Sequence, residues 1–423
     1  MDSIKLKYLI KSMNSGGTPT SSISRFYDDN GIPWVSIGDM SGSPFVYDTY
    51  KKITEAGRKE KNLIIFPTHT ILYSIYATLG KVSELMTPST INQAVLAIEN
   101  NPDIIDRTYF KYSLQSLEDD VNKESFSSTI SNLSAQKVLN LKLPVCTKDI
   151  NKQAIIAKYL DKKCSSTDKL MDQEKIAIEE LRNLAYRTIS ERVSFGTYNK
   201  TELVPSRFSW IKYIPKQWGF GKINQLCYVK GRIGWQGLKS NEYKNEGPYL
   251  ITGTDFCNGL IDWSTCEHIT IQRYNEAAPI KIKEGDLLIT KDGTVGKVAI
   301  VKGLNGKASL NSGVLLIRNT SDRYITKYLY YVLKSSVFWD WFNEKQKGNS
   351  TIIHLYQEQF SKFVFPLPPI DEQKEIVNYL DEKCLAIEKL IHIKEGKIEA
   401  LKLYKKSLVY ECVTGRKKVP YAD

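Results

Sequence analysis

The stretch INKQAIIAKYLDKKCSSTDKL (150–170) returns, at a constant distance of 220 residues, as IDEQKEIVNYLDEKCLAIEKL (370–390). Extended without a gap, Ile150–Val193 lies over Ile370–Val413 with fifteen of 44 positions identical. They include Gln153/Gln373, Tyr159/Tyr379, Leu160/Leu380, Asp161/Asp381, Cys164/Cys384, Leu170/Leu390 and Leu181/Leu401. So many identities at one fixed offset mark a duplication, and a duplication constrains the fold before any local signal is weighed.

Upstream the likeness continues, weaker and with small gaps. IPWVSIGDM (32–40) answers GPYLITGTDF (247–256), LGKV (79–82) answers VGKV (295–298), INQAVLAIEN (91–100) answers LNSGVLLIRN (310–319), and STISNL (128–133) answers STIIHL (350–355). Each copy is therefore a drifted portion followed by a better-kept segment. Two different ligands on one shared frame leave that pattern behind.

The kept segments read as helices. Cys164, Met171, Ile178 and Ala185 recur every seven residues with Leu181 on the intervening line; Cys384, Ile391 and Ile398 form one line of the second copy, and Ile387, Leu401 and Leu408 the other. Heptads with Lys and Glu between them predict a coiled-coil seam, with Leu160, Met171, Ile178, Leu181, Leu380, Ile391, Ile398 and Leu401 as seam and partner-docking candidates. Glu174, Lys394 and Lys405 interrupt it, and Ser165-Ser166-Thr167-Asp168 could break the first helix or cap a new one. Two unrelated surface helices with apolar stripes are the alternative. Antiparallel pairing needs no long return through residues 194–217. Helices of 30 to 44 residues span roughly 45–65 Å, one to two turns of B-DNA at ~34–36 Å each.

In the drifted portions, GDLLITKDGTVGKVAIV (285–301) alternates around Asp-Gly and Val-Gly turns, the pattern of hairpins. LNSGVLLIRN is another strand, and ITKYLYYVLKSSVFWDWF (325–342) has helical spacing. A curved, mostly antiparallel sheet with one or two helices is expected in each half.

Composition narrows the function. Lys and Arg number 59 against 47 Asp and Glu, a formal charge of +12 over 423 residues, which favours a polyanionic partner without proving one. The seven cysteines are scattered without a CxxC pair, so reduced thiols are expected, not a disulfide framework or a zinc site. The N-terminus MDSIKLKYLIKS has no signal-peptide core, and no apolar run approaches a membrane span. A cytoplasmic protein with no membrane association is expected.

Catalytic motifs are missing. GTVGKV (293–298) glances at a phosphate loop, but Lys291 stands where its first glycine belongs and Val298 where a magnesium-binding hydroxyl is needed. No GxGxxG or GxSxG occurs, His69, His268, His354 and His392 have no metal-ligand spacing, and Asp119-Asp120 sit in EDDVNKE, which reads as a solvated loop. The chain reads as a binder, with no catalytic and no metal residues.

The candidate readers of DNA lie in glycine-rich polar loops. In the first half they are Thr18, Thr20 and Ser22, then Ser74, Tyr76, Thr78 and Lys81. In the second, KGRIGWQG (230–237) is densest: Arg232 can grip guanine bidentately and Gln236 adenine, with Trp235 and Lys239 beside them. Lys291, Asp292, Thr294 and Lys297, and then Lys347, Asn349 and Ser350, add phosphate contacts and further edge readers. For each loop the competing reading is a turn that merely joins strands. Trp34 and Tyr249, at matched places, read as core.

Taken together, GGTPT (16–20) with IPWVSIGDM, then GPYLITGTDF, GDLLITKDGTVGKVAIV and STIIHLYQ (350–357), then PLPPIDEQKEIVNYLDEKC (366–384) with VTG (413–415), resemble the specificity subunit of type I restriction-modification systems. The resemblance covers essentially the whole chain. One departure is VCTKDINKQ (145–153), which lacks the proline and acidic character of its counterpart. The implied fold class is α+β: two mixed α/β target recognition domains in tandem, separated by two long helices forming an antiparallel coiled coil with pseudo-two-fold symmetry. The expected boundaries are 1–145 and 218–367 for the recognition domains, 146–195 and 368–415 for the spacer helices, 196–217 for a linker and 416–423 for a tail. The resemblance implies that each domain contacts one half of a bipartite, asymmetric site on double-stranded DNA. It also implies that the coiled coil sets the spacer and docks two methyltransferase subunits, with restriction/translocase subunits joining for cleavage in host defence. S-adenosylmethionine, ATP and Mg2+ would belong to those partners, and no cofactor to this chain. Two rivals remain: a stand-alone coiled-coil nucleic-acid-binding protein, and a nuclease with an unrecognised site.

Overall fold

The computed structural model describes residues 3–41, 43–126, 132–197, 202–232, 238, 242–346 and 354–420. They form two compact units: Met1–Glu174 with Glu395–Asp423, and Lys175–Lys394.

Both units are built on the same sheet plan. In the first, strands Ile10–Ser15, Val95–Asn100, Ile71–Ser74, Val82–Leu85 and Phe45–Val46 lie side by side in that order, and a second sheet orders Lys52–Ile53, Tyr27–Val35 and Thr90–Ile91. In the second, the large sheet runs Cys227–Gly231, Val314–Asn319, Leu287–Thr290, Val298–Ile300, Leu260–Ile261, Phe256–Cys257, and the small one Glu267–His268, Lys244–Ile251, Ala308–Leu310. Most neighbours are antiparallel; Phe45–Val46 beside Val82–Leu85, Leu260–Ile261 beside Val298–Ile300, and the last strand of each small sheet are parallel pairings.

The large sheets are covered on both faces, so their central strands are apolar without a polar alternate. Successive side chains point to opposite faces. Ile71, Tyr73, Leu96 and Ile98 enter one core with Tyr109, Phe110 and Leu160, while Leu72, Val95 and Ala97 enter another with Val35 and Met40. The second unit repeats this: Leu287, Ile289, Leu315 and Ile317 on one side, Leu288, Leu316 and Ala299 on the other. The stretch 325–342 is helical as expected, but broken at Lys334 and Ser335 into Thr326–Leu333 and Ser336–Gln346. EDDVNKE is not the solvated loop its charge suggested: it lies in the helix Glu118–Phe126, where Asp119 pairs with Lys406 at 2.6 Å.

Two long helices, Ile150–Phe195 and Ile370–Val413, each contribute to both units. Their pairing is antiparallel within each. In the first unit Asp168 meets Lys405 at 2.6 Å, and six residues on Glu174 meets Lys397, eight residues back, at 2.6 Å. In the second, the Arg192 guanidinium lies 4.9 Å from the Tyr379 ring, and Gly196 packs against Glu372. Leu160 and Leu380 are buried in the cores of the first and second units, Ile178 and Ile398 are also buried, and Met171, Leu181, Ile391 and Leu401 are half-buried. Each full burial is worth roughly 1.5–3 kcal/mol. The Ser-Ser-Thr-Asp segment does not interrupt the first helix. Ser166 and Thr167 turn their hydroxyls back to the carbonyls of Lys162 and Lys163, at 2.8 and 2.9 Å, so no backbone donor is diverted.

Candidate nucleic-acid interface

Antiparallel order brings particular loops together. Ser15 pairs with Leu96 and Ser74 with Val95, so the chain leaves the sheet after Ser15 and Ser74, and enters it before Val95 and Val82, at one edge. In the second unit Gly231 pairs with Leu315 and Thr290 with Val314, and the same edge collects residues after 231 and 290 and before 298 and 314. All the described candidate readers fall on these two edges.

At the first edge, Thr18 bonds Gln93, whose neighbour Ala94 accepts from the Ile75 N–H at 2.9 Å, linking the glycine loop to the 74–81 hairpin. Gly16 approaches the Ile91 backbone so closely that a Cβ would stand 1.8 Å from its carbonyl oxygen; no other residue fits there. Thr20 gives its N–H and hydroxyl to Glu60 at 3.1 and 2.7 Å, and the hydroxyl bond holds the Glu60 carboxyl below its usual range. Ser22 is exposed.

The two hairpins are built alike. Ser74 is buried; its hydroxyl donates to the Thr78 carbonyl and accepts from the Lys81 N–H at 2.9 Å. Thr290 does the same with the Thr294 carbonyl and the Lys297 N–H, also at 2.9 Å. Ala77 and Gly293 both have positive φ, as do Gly80 and Gly296, which close the turns against Glu118 and Trp339 respectively. Ser74 and Thr290 thus hold the turn, and Tyr76, Thr78, Asp292, Thr294 and Lys297 are the exposed members. Lys81 and Lys291 are half-buried.

Arg232 turns inward. It is 4 % exposed, its Nε donates to the Leu310 carbonyl at 2.7 Å and an NH2 to the Ser309 hydroxyl at 3.0 Å. Burial pulls its guanidinium below the ordinary arginine value, and Arg273 pushes the same way against Glu242 and Glu276. Trp235, Gln236, Lys239, Lys347, Asn349 and Ser350 lie outside the described residues.

Sequence reasoning passed over three residues at these edges. Gln93 and Gln357 bond Thr18 and the Gly231 N–H, the latter at 2.9 Å. His354 pairs through Nδ1 with Asp292 Oδ1, 62 residues away. No local pattern announces such pairs, because the partners meet only when the sheet edge forms. The one available signal was the match of INQA to LNSG, which places Asn92 and Asn311 at equal turns: their N–H groups bond the Val35 and Ile251 carbonyls, each at 2.9 Å. Among the described residues no group of three or more His, Cys, Asp or Glu is arranged to hold a metal ion, and no helix is long and apolar enough to cross a membrane.

Known proteins share this organisation. The chain is 24% identical over 396 residues to the type I restriction enzyme MjaIX specificity subunit of Methanocaldococcus jannaschii, covering 89% of this chain and 86% of that one. It is 22% identical over 299 residues to the type I restriction enzyme EcoBI specificity subunit of Escherichia coli, covering 70% of this chain and 62% of that one. A solved chain from work on complex assembly and conformational transition of the type I R-M system superposes with a TM-score of 0.67 at 15% identity, over 98% of both chains, which shows the shared fold. The family model described as the type I restriction modification DNA specificity domain matches residues 1–180 and again residues 215–403. With its domain present twice, the chain belongs to the type I restriction-modification DNA specificity family.

Proposed function

We propose that each recognition domain, 1–145 and 218–367, reads one half of a bipartite, asymmetric site on double-stranded DNA through its loop edge. The carrying observation is that the two edges keep one frame and differ in what it displays. Ser74 and Thr290, Gly80 and Gly296, and Lys81 and Lys297 are equivalent and make the same bonds, whereas Tyr76 and Asp292 are chemically unlike. A frame held constant under divergent tips suits two different target sequences. The excess of basic residues favours a phosphate-bearing ligand. Phosphate contacts fix register and base-edge contacts give sequence. Lys297 and Lys81 suit the first role, and Tyr76, Thr78, Asp292 and Thr294 the second, alongside Thr18, Thr20 and Ser22.

In this reading the segments 146–195 and 368–415 set the spacer between half-sites and dock two methyltransferase subunits, with restriction/translocase subunits joining them. Exposed apolar side chains on the helices, Leu170 and its repeat equivalent Leu390 among them, support a docking role. S-adenosylmethionine, ATP and Mg2+ are then the partners' cofactors, and this chain is the non-catalytic recognition subunit.

The test is to map methylated bases in cells carrying the chain with its methyltransferase partner, before and after replacing residues 1–145 by another such domain. The expected result is a bipartite motif in which only one half changes. A motif changed in both halves or in neither would overturn the two-reader model. A stand-alone nucleic-acid-binding protein would give no methylation motif, and magnesium-dependent cutting by the pure chain would reveal a nuclease.

A further inference from the structure

An acidic side chain at the tip of a hairpin that meets DNA needs an explanation, because phosphates repel it. Asp292 is such a residue: its side chain is 43% exposed, where the first unit has Tyr76. Its surroundings hold it in place. His354 Nδ1 pairs with Oδ1, and Lys291 Nζ lies 3.9 Å from Oδ2. His354 is itself fixed, by the Leu355 N–H on the Lys291 carbonyl at 3.0 Å, by Gln346 Nε2 on the His354 carbonyl at 3.1 Å, and by the Tyr356 ring at 4.4 Å. The carboxylate thus has one partner beside it in the chain and one, His354, that is itself held from 62 residues away.

Each carboxylate oxygen has two acceptor sites, so one partner per oxygen leaves capacity for a donor from outside the protein. In the major groove the donors are the exocyclic amines of cytosine and adenine. Adenine carries its N7 acceptor beside the amine, and guanine presents acceptors only. A carboxylate is repelled by both arrangements of acceptor and is matched best by cytosine N4.

We infer that Asp292 is a specificity-determining residue of the second domain, accepting a hydrogen bond from the amine of a cytosine, with His354 as its positioning residue. The inference rests on the proposed reading that the loop edge meets DNA. Lys291 offsets the carboxylate's charge toward neighbouring phosphates, and Gly293, with φ of 69°, lets the tip turn without a side chain at that place.

The experiment is a comparison of methylation motifs for the full chain, Asp292→Asn and His354→Ala, each with the methyltransferase partner. The wild-type chain should give a bipartite motif with a cytosine in the half read by the second domain. Asp292→Asn should lower the preference for that cytosine by at least about fivefold, and leave every other position, including the whole other half-site, unchanged. His354→Ala should blur the same base pair and no other, which a purely structural role would not do. The intact half-site reports that each variant is folded. A motif unaltered by Asp292→Asn, or methylation lowered evenly without change of motif, would overturn the inference while leaving the two-reader proposal standing. Absence of any bipartite motif from the wild-type complex would overturn the proposal itself.

Discussion

The Tyr109 hydroxyl donates to the carbonyl oxygen of Val413 at 2.8 Å, joining residues 304 apart in the chain, and accepts from the Cys146 N–H at 3.0 Å. The second unit holds its counterpart: Tyr328 lies 3.5 Å from the carbonyl of Val193, the repeat equivalent of Val413. There the hydroxyl donates to the Pro366 carbonyl at 3.0 Å. In each unit the end of one long helix is thereby fastened to a domain whose own sequence continues into the other helix.

Tyr109→Phe should therefore destabilise the first unit by about 1–3 kcal/mol, because the Val413 carbonyl and the Cys146 N–H both lose a buried partner. Amide hydrogen exchange should speed up at Val413 and the residues beside it while the second unit is unaffected. Equal loss of protection in both units would argue against this fastening.

Gln153 and Gln373 are the second fastening. Both are fully buried; Gln153 accepts from the Asp106 N–H at 2.7 Å and donates to the Thr147 carbonyl at 2.9 Å, and Gln373 accepts from Ile325 and donates to Arg323 and Pro368. Gln153→Leu leaves the part-buried Asp106 N–H and Thr147 C=O without this partner and should cost roughly 1–3 kcal/mol. Urea titration of the full chain should show the loss; a cost below about 0.5 kcal/mol, typical of surface changes, would contradict the role given to this side chain.

Glu84 gives the first unit a pH dependence that the second lacks at the equivalent Ile300. Burial alone would raise its carboxyl, but the Lys111 ammonium at 2.9 Å, with His69 and Arg107, outweighs burial and holds it below the ordinary glutamate value. A depressed acid stabilises the fold above its unfolded value of about 4.3, and that contribution is lost as pH falls through the lower folded value. Thermal melts should accordingly show an acid-side loss of stability that Glu84→Gln makes shallower. The same variant should cost about 3–5 kcal/mol near neutrality, since it strands the buried Lys111 charge.

The pair Asp168–Lys405, partly exposed at 39% and 30%, sets helix register more than it stabilises. A double-mutant cycle with Asp168→Ala and Lys405→Ala should give a coupling of about 0.5–1 kcal/mol, reduced by salt. Lys405→Asp alone should destabilise through repulsion, and Asp168→Lys with Lys405→Asp should recover most of the loss. Failure of the exchanged pair to recover stability would mean that these two side chains do not meet in solution.

The sequence by itself determined the duplication, the two long helices and the hairpin around Gly293, because heptads, turn glycines and a fixed offset are local or one-dimensional signals. It even marked the fastening residues, as the identities Gln153/Gln373 and Asp161/Asp381: Asp161 accepts from Tyr112 at 2.8 Å and Asp381 pairs with Tyr331. What it could not supply was the reason for those identities, which lies in partners 47 to 50 residues away across each domain. Nor could it separate Ser74 and Thr290, which close turns, from Tyr76 and Asp292, which face outward, since all four sit in polar loops. The inward turn of Arg232, the helix under EDDVNKE and the pairing of His354 with Asp292 were likewise decided by tertiary structure. Burial and long-range hydrogen bonds assign a side chain its job only after the sheet edges have brought distant loops together.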